Sequence, residues 1–294
     1  MSLMDPGKFH ECFVRWTEAV RERVSGEIVA IDGKSLRRTD KDKESMVHLV
    51  SAWASANRLV LGQLPVASKS NEITAVPELL RMLELTGCIV TTDAMGTQKN
   101  IAKEIHEADA DYVLCLKGNH GTAHKEVATF LDEAITLNPS HLQSYQSTEK
   151  DHGRLETRRY WISGKIDWFA DRNQWENLRS VGVVEARREI GDTVSVERRY
   201  FLCSIAPDAK TFARAVREHW GIENSLHWVL DVNLQEDQSR VRTRYAAQNL
   251  ALLRKLALNL IRKDTSQKKT SLRSRRKIAA WSSQYLETLL KLPI

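Results

Sequence analysis

Three acidic residues sit where a carboxylate is costly unless it is paired or bound to metal. Asp32 follows the apolar run Ile28–Ile31, and Asp93 follows Ile89–Thr92. Each reads as the end of a buried strand, where α/β proteins place their chemistry. Taken singly, each is better explained as a turn residue, since Asp-Gly at 32–33 is a common turn. Glu223 shifts that balance. Phe212, Val216, Glu223 and Leu230 are separated by 4, 7 and 7 positions. At about 100° per residue they share one helix stripe, which predicts a core-facing Glu223. His219 and His227, at i−4 and i+4, are candidate partners for a buried glutamate. Three inward acids from two strands and a helix make a two-metal geometry, in which Mg²⁺ takes carboxylate oxygens and substrate phosphate. Zinc on His219, Glu223 and His227 is disfavoured, because the spacing is H-x3-E-x3-H and not HExxH. No phosphate-cradling P-loop and no dinucleotide-binding glycine fingerprint occurs.

The elements that must position these acids follow from periodicity. Residues 7–25 are predicted helical, with Phe9, Cys12, Phe13, Trp16 and Val20 at helix spacing. EIVAIDGKS, MVHLVSAWAS and RLVLGQLPV read as strands, and residues 72–85 as a helix. GCIVTTDAMG is a strand into a turn, TQKNIAKEIHEAD a helix, ADYVLCLKGN a strand, and GTAHKEVATFLDEAI a helix. The order β-β-β-α-β-α-β-α predicts a mixed sheet with helices on its faces. Residues 136–206 read as β-rich, with a hairpin signal at Gly191-Asp192. Asp208 is a candidate N-cap for the helix carrying Glu223, and another helix covers 243–263.

The chain has 294 residues, 42% hydrophobic and 28% charged, enough for one large domain or two modest ones. Its net charge of +6 fits a polyanionic partner without demanding one. The basic excess concentrates in residues 262–277, where eight basic residues face only Asp264. That run is either a solvated linker or a phosphate-contacting segment. Cys12, Cys88, Cys115 and Cys203 form no CxxC pair and read as reduced core cysteines of an intracellular protein. No run approaches the roughly 18 apolar residues of a membrane span, so no membrane association is expected. Lys34 lies two residues from Asp32 on the same strand face, as a phosphate contact or a surface lysine, and Arg37 and Arg38 extend that basic edge. Lys117 ends a buried strand. Arg154, Arg158 and Arg159 lie beside Trp161, where arginine next to an aromatic suits nucleic acid; a solvated strand whose tryptophan packs on the core is the simpler reading.

Several segments together carry a resemblance. AIDGK around Asp32, KSNEITAVPELL at 69–80, IVTTDAMG around Asp93, HGRLETR at 152–158, REHWGIENSLHWVLDV around Glu223 and the NLALLRKLALNLI run occur in one order. From about residue 8 to about 290, the chain resembles the H-repeat-associated, insertion-sequence type DDE transposases of bacteria. The resemblance implies an α/β, RNase H-like mixed sheet flanked by helices and interrupted by a β-rich insertion. It divides the chain into a residual helical segment (1–25), a catalytic core (26–135 and 207–265), the insertion (136–206) and a basic tail with a short helix (266–294). It implies Asp32, Asp93 and Glu223 as catalytic metal-binding residues for two Mg²⁺ (or Mn²⁺) ions. The reaction would be metal-dependent DNA strand cleavage and strand transfer at insertion-sequence ends. Expected DNA contacts are Lys34, Arg37, Arg38, Lys117, Arg154, Arg158, His219, Arg273, Arg275 and Arg276. His219 stands where related cut-and-paste transposases carry an arginine, while Val216 and Leu230 replace their tyrosine and lysine. The implied partner is double-stranded DNA, engaged as a homodimer at the nucleoid in the bacterial cytoplasm. Family members have a longer helical region before the AIDGK strand, so a shortened copy is expected. An RNase H-like nuclease without strand transfer and a non-catalytic DNA-binding remnant are the competing readings.

Overall fold

The computed structural model describes residues 1–39, 46–66, 72–151, 153–267 and 269–291. Residues 69–71 of the KSNE motif, His152 of HGRLETR and Lys268 of the basic run lie outside the described residues. The chain forms two compact units, residues 1–84 with 220–294, and residues 85–219. Asp32 and Glu223 belong to the first unit and Asp93 to the second.

In the first unit, helix α1 (Pro6–Val20) starts at Asp5, whose carboxylate accepts from the Lys8 N–H at 3.0 Å. It stops five residues short of the predicted end, because Arg21 turns extended to meet Glu27. Strands β1 (Ile28–Ser35), β2 (His48–Ala54) and β3 (Leu59–Val66) form an antiparallel meander with β2 central. Every residue of β2 is buried, so both faces of this sheet are covered. Asp32 pairs with Ser51, and Ser51 with Gln63, which sets these three side chains in one row. Among the described residues, the edge strand β3 is closed by side chains instead of another strand. Asn259 accepts from the Val60 N–H and donates to the Val60 carbonyl, both at 2.9 Å, and His10 Nε2 accepts from the Gln63 N–H at 3.1 Å. Asn259 comes from helix α7 (Ala246–Lys263). Helix α2 (Glu72–Arg81) ends sooner than predicted, in a tightened turn where Met82 and Leu83 donate to Leu79 and Leu80.

In the second unit, β4 (Ile89–Thr92) and β5 (Asp111–Leu116) are parallel, joined through helix α3 (Lys99–Glu107). Helix α4 (Gly121–Leu137) follows. The β-rich stretch supplies β6 (Gln143–Asp151), β7 (Arg154–Ser163), β8 (Ser180–Ile190) and β9 (Thr193–Cys203), all antiparallel. Gly191 turns the β8–β9 hairpin at φ +55°. Because β9 also pairs with β5, this stretch continues the same sheet. Helix α5 (Ala209–His219) packs beneath it, and Asp208 caps it by accepting from the Thr211 N–H at 2.8 Å. Gly182 is required there, since a Cβ would stand 2.6 Å from the Phe212 ring.

The first unit closes with a π-helical segment (Ile222–His227), α6 (Trp228–Leu234), α7, α8 (Leu272–Trp281) and α9 (Ser283–Leu290). Ile222, Leu226 and Leu230, spaced by four, join Phe13, Ala30 and Trp53 in its core. Among the described residues, no helix is long and apolar enough to cross a membrane.

Candidate functional site

Asp32 stands inside β1, not at its end. The strand continues through Ser35 because β2 pairs with it as far as His48, so Asp32-Gly33 is no turn. Alternation puts Asp32 on the face of Ala30, which packs against Ile222, Leu226 and Leu230. The segment bearing Glu223 therefore covers the Asp32 face within the first unit. His227, one turn beyond Glu223, brings Nδ1 to 3.4 Å from Asp32 Oδ2.

The predicted stripe for Glu223 needs correction. It assumed an unbroken α-helix from Phe212 to Leu230. Instead α5 ends at His219, and the next segment makes wide turns, with the Trp228 N–H bonding the Glu223 carbonyl five residues back. The buried stripe falls on Ile222, Leu226 and Leu230, and Glu223, one position round, is exposed. Its carboxyl is still desolvated enough to raise its pKa above the ordinary value. Gly221 opens this segment against Trp53, whose Nε1 would lie 3.1 Å from a Cβ there.

In the second unit, Asp93 directly follows β4. Its Oδ1 accepts from the Met95 and Gly96 N–H groups at 3.0 and 3.1 Å, so it is both a strand-end and a turn residue. Asn119 donates to the neighbouring Ala94 carbonyl at 2.8 Å. Lys117 is exposed two residues before Asn119. His219 Nδ1 meets Thr91 Oγ1 at 2.9 Å. Burial pushes the His219 pKa down to about 4, and Arg199 adds to the depression against the opposing charge of Asp93. The ring is therefore neutral near pH 7.

Among the described residues, no group of three or more His, Cys, Asp or Glu side chains that could hold a metal ion is found. The donor chemistry of the three acids suits a hard cation. Asp93 Oδ2 and both oxygens of Glu223 accept no hydrogen bond from the described residues.

The expected DNA contacts divide sharply. Lys34 pairs with Asp231 and, at 3.1 Å, with Glu236. Arg37 pairs with Asp237 at 3.4 Å, and Arg38 donates to Gln238 at 2.7 Å. The basic edge of β1 is thus matched by the acidic stretch 231–238. Arg158 is buried between Glu149 at 3.1 Å and Glu156 at 2.8 Å, so its charge is taken up by ion pairs within the fold. Arg154 stays exposed, 3.6 Å from Glu156. In the basic tail, Arg275 caps α7 by donating to the carbonyls of Ile261 at 2.8 Å and Asp264 at 3.1 Å, and Arg276 donates to the Asn233 carbonyl. Arg273 and Lys277 are exposed, with no hydrogen bond or ion pair to the described residues.

Sequence reasoning missed Lys255. This α7 lysine is buried and donates to Ser51 Oγ at 2.9 Å and Gln63 Oε1 at 2.5 Å, on the row shared with Asp32. Burial lowers its pKa to about 8, with Glu236 opposing. A lone lysine inside the apolar NLALLRKLALNLI pattern was the available signal.

The histidines carry a prediction. Burial holds His10 and His219 at pKa values of about 4, against 6.5 for the free side chain. Below about pH 6.5 the unfolded chain takes up these protons and the folded chain does not. The stability they contribute is therefore complete above pH 6.5 and is lost as pH falls toward 4, up to about 3 kcal/mol for each histidine. Melting temperature measured against pH should fall through that window, less steeply in His10→Gln/His219→Gln. Equal slopes in the two proteins would contradict the assignment.

Residues 24–260 match the transposase DDE domain family. The chain is 40% identical to "Putative transposase YncI" of Escherichia coli O157:H7, over 99% of this chain and 75% of that protein. It is 38% identical to "H repeat-associated putative transposase YhhI" of Escherichia coli strain K12, over 99% of this chain and 78% of that protein. Among solved structures, it is similar to the piggyBac transposase in a synaptic complex with hairpin DNA, with a TM-score of 0.50 and 14% identity. That likeness covers 92% of this chain but only 55% of the other, and it is one of fold. The mixed α/β, RNase H-like architecture expected from the sequence is borne out.

Proposed function

The chain belongs to the DDE transposase family, and from that premise we propose that it cleaves and joins DNA strands at insertion-sequence ends, with Asp32, Asp93 and Glu223 holding the divalent metal that such enzymes generally use. The observation that carries this reading is in the first unit. There β1 presents Asp32 to the face covered by the π-helical segment, and that segment carries Glu223. A widened helical turn of this kind recurs at functional sites. The spare oxygens of Asp93 and Glu223 are the remaining donors, and Mg²⁺ or Mn²⁺ is the fitting class of ion. The chemistry such ions supply is activation of water as a nucleophile and stabilisation of charge on the leaving 3′ oxygen.

The chain's own residues do the rest. Asp32, Asp93 and Glu223 supply the negative charge a cation requires, and desolvation holds the Glu223 carboxyl above its ordinary pKa. His227, neutral and beside Asp32, orients that carboxylate through Nδ1. Of the expected phosphate contacts, Arg37, Arg38, Lys117, Arg154 and Arg273 are the exposed ones, with Arg37 matched by Asp237 and Arg38 by Gln238. The partner is double-stranded DNA, engaged by two copies of the chain at the bacterial nucleoid.

The test is incubation of the purified chain with labelled candidate ends and a target plasmid, with and without Mg²⁺. Nicked and joined products are expected only with metal. Nicking without joining would favour a hydrolytic nuclease, and tight binding without nicking a non-catalytic binder. Salt dependence supplies a second check. Arg273→Gln/Lys277→Gln should lower the slope of log affinity against log salt by about 2. Arg275→Gln should leave the slope alone and cost about 1 kcal/mol of stability, as a lost helix cap does. If Arg275→Gln alone flattens the slope, its capping role is not its main one.

A further inference from the structure

A groove in the second unit is lined by none of the three candidate acids. One wall is β6, the last strand of its sheet, which presents Tyr145, Ser147 and Glu149 on alternate positions of one face. The other wall is α5, which presents Lys210, Arg214 and Arg217. The space between is about 460 Å³ and open to solvent, within the 300–1,000 Å³ range of small-ligand sites.

The charges in this groove are unequal in kind. Arg217 is occupied, donating to both oxygens of Glu149 at 3.2 and 2.8 Å. Arg158 donates to the same carboxylate at 3.1 Å, so Glu149 is fully matched. Lys210 and Arg214 are exposed, and their side chains make no hydrogen bond or ion pair with the described residues. They stand one helical turn apart, neighbours on the helix surface. The groove therefore presents two exposed cations beside an aromatic ring, neither in an ion pair with the described residues, with Lys210 also in the field of the Asp208 carboxylate. That ring is Tyr145, 39% exposed, backed by the buried Tyr160 at a centroid distance of 6.1 Å. Tyr160 is in turn braced edge-on against Phe212 at 6.3 Å, so Tyr145 leans on a cluster of aromatic rings.

We propose that this groove binds one unpaired nucleotide of DNA, its phosphate between Lys210 and Arg214 and its base against the exposed face of Tyr145. Paired cations suit a phosphate, and an exposed ring held from behind suits a base, whose π-face is free only when the base is unpaired. The inference rests on the reading of the chain as a DNA-processing protein and adds to it a single-strand site. Basic residues at 210, 214 and 217, opposite the Phe212 and Val216 stripe, were the legible half of the signal. The facing tyrosine on β6 was not.

Fluorescence anisotropy of the full chain with labelled single-stranded and duplex oligonucleotides of one sequence tests it. Tyr145→Ser should weaken single-strand binding about tenfold and duplex binding by less than about twofold, and Tyr145→Phe should restore it, because stacking needs the ring and not the hydroxyl. Lys210→Gln/Arg214→Gln should lower the single-strand salt slope by about 1.4, two phosphate contacts' worth. All of these side chains are exposed, so unchanged melting temperatures are expected. Unchanged single-strand affinity in Tyr145→Ser, or an unchanged slope in the double variant, overturns the site while leaving the proposed function standing. No DNA binding by the unmutated chain overturns both.

Discussion

Glu223→Gln removes Mg²⁺-dependent strand cleavage, by about a thousandfold or more, while DNA affinity stays within about twofold. The substitution keeps the shape of the side chain and loses the charge that holds a cation. Nothing structural rests on that carboxylate, because Glu223 is exposed and no described residue hydrogen-bonds it. Melting should therefore be unchanged, which separates lost chemistry from lost fold. Asp93→Asn should show the same loss of cleavage. Its amide oxygen can still accept from Met95 and Gly96, so the turn survives. Gel-based cleavage of labelled ends with Mg²⁺ and Mn²⁺ is the measurement. Cleavage by Glu223→Gln at the unmutated rate would show that metal is held elsewhere, and the assignment of all three acids would fall with it.

Glu27→Ala should destabilise the first unit by about 3–5 kcal/mol, the cost of leaving a buried cation without its partner. Glu27 is wholly buried at the start of β1. One oxygen accepts from Arg21 Nε at 3.0 Å and Nη2 at 2.8 Å, and the other from the Asn57 N–H and Nδ2, both at 2.9 Å. Four donors thus converge on one carboxylate, tying the end of α1 and the β2–β3 turn to the strand that carries Asp32. Arg21→Met/Glu27→Leu, which removes both charges at similar volume, should recover most of the loss. Urea denaturation of the three proteins measures this. A Glu27→Ala midpoint equal to that of the unmutated chain would mean that Arg21 finds water or another acceptor.

Much of the architecture was readable in local pattern. Apolar runs of strand length marked β1 to β5, and helix spacing with Asp208 in front marked α5, because these signals depend on residues a few positions apart. The hairpin at Gly191 was legible for the same reason. Helix ends were less so. Where α1 stops is decided by Arg21 reaching Glu27, and where α2 stops by a tightened turn, neither of which periodicity records.

By itself, the sequence determined the order of strands and helices, the two strand-borne aspartates, and motifs specific enough to reveal the family. Tertiary structure alone decided what each charge does. Lys34 meets Asp231 across 197 positions of sequence, and Lys255 meets Ser51 across 204. Composition marks such residues as basic but cannot say that their charge is already spent on a carboxylate or a buried hydroxyl. The same holds for Arg158 and Arg275, whose side chains are held by ion pairs or hydrogen bonds, against Lys210 and Arg214, whose side chains are exposed and make neither with the described residues. The face that Glu223 presents was also a tertiary matter. An α-helix repeats at 3.6 residues, and the packing of Ile222, Leu226 and Leu230 against the Ala30 face is met by a wider turn that shifts every later position.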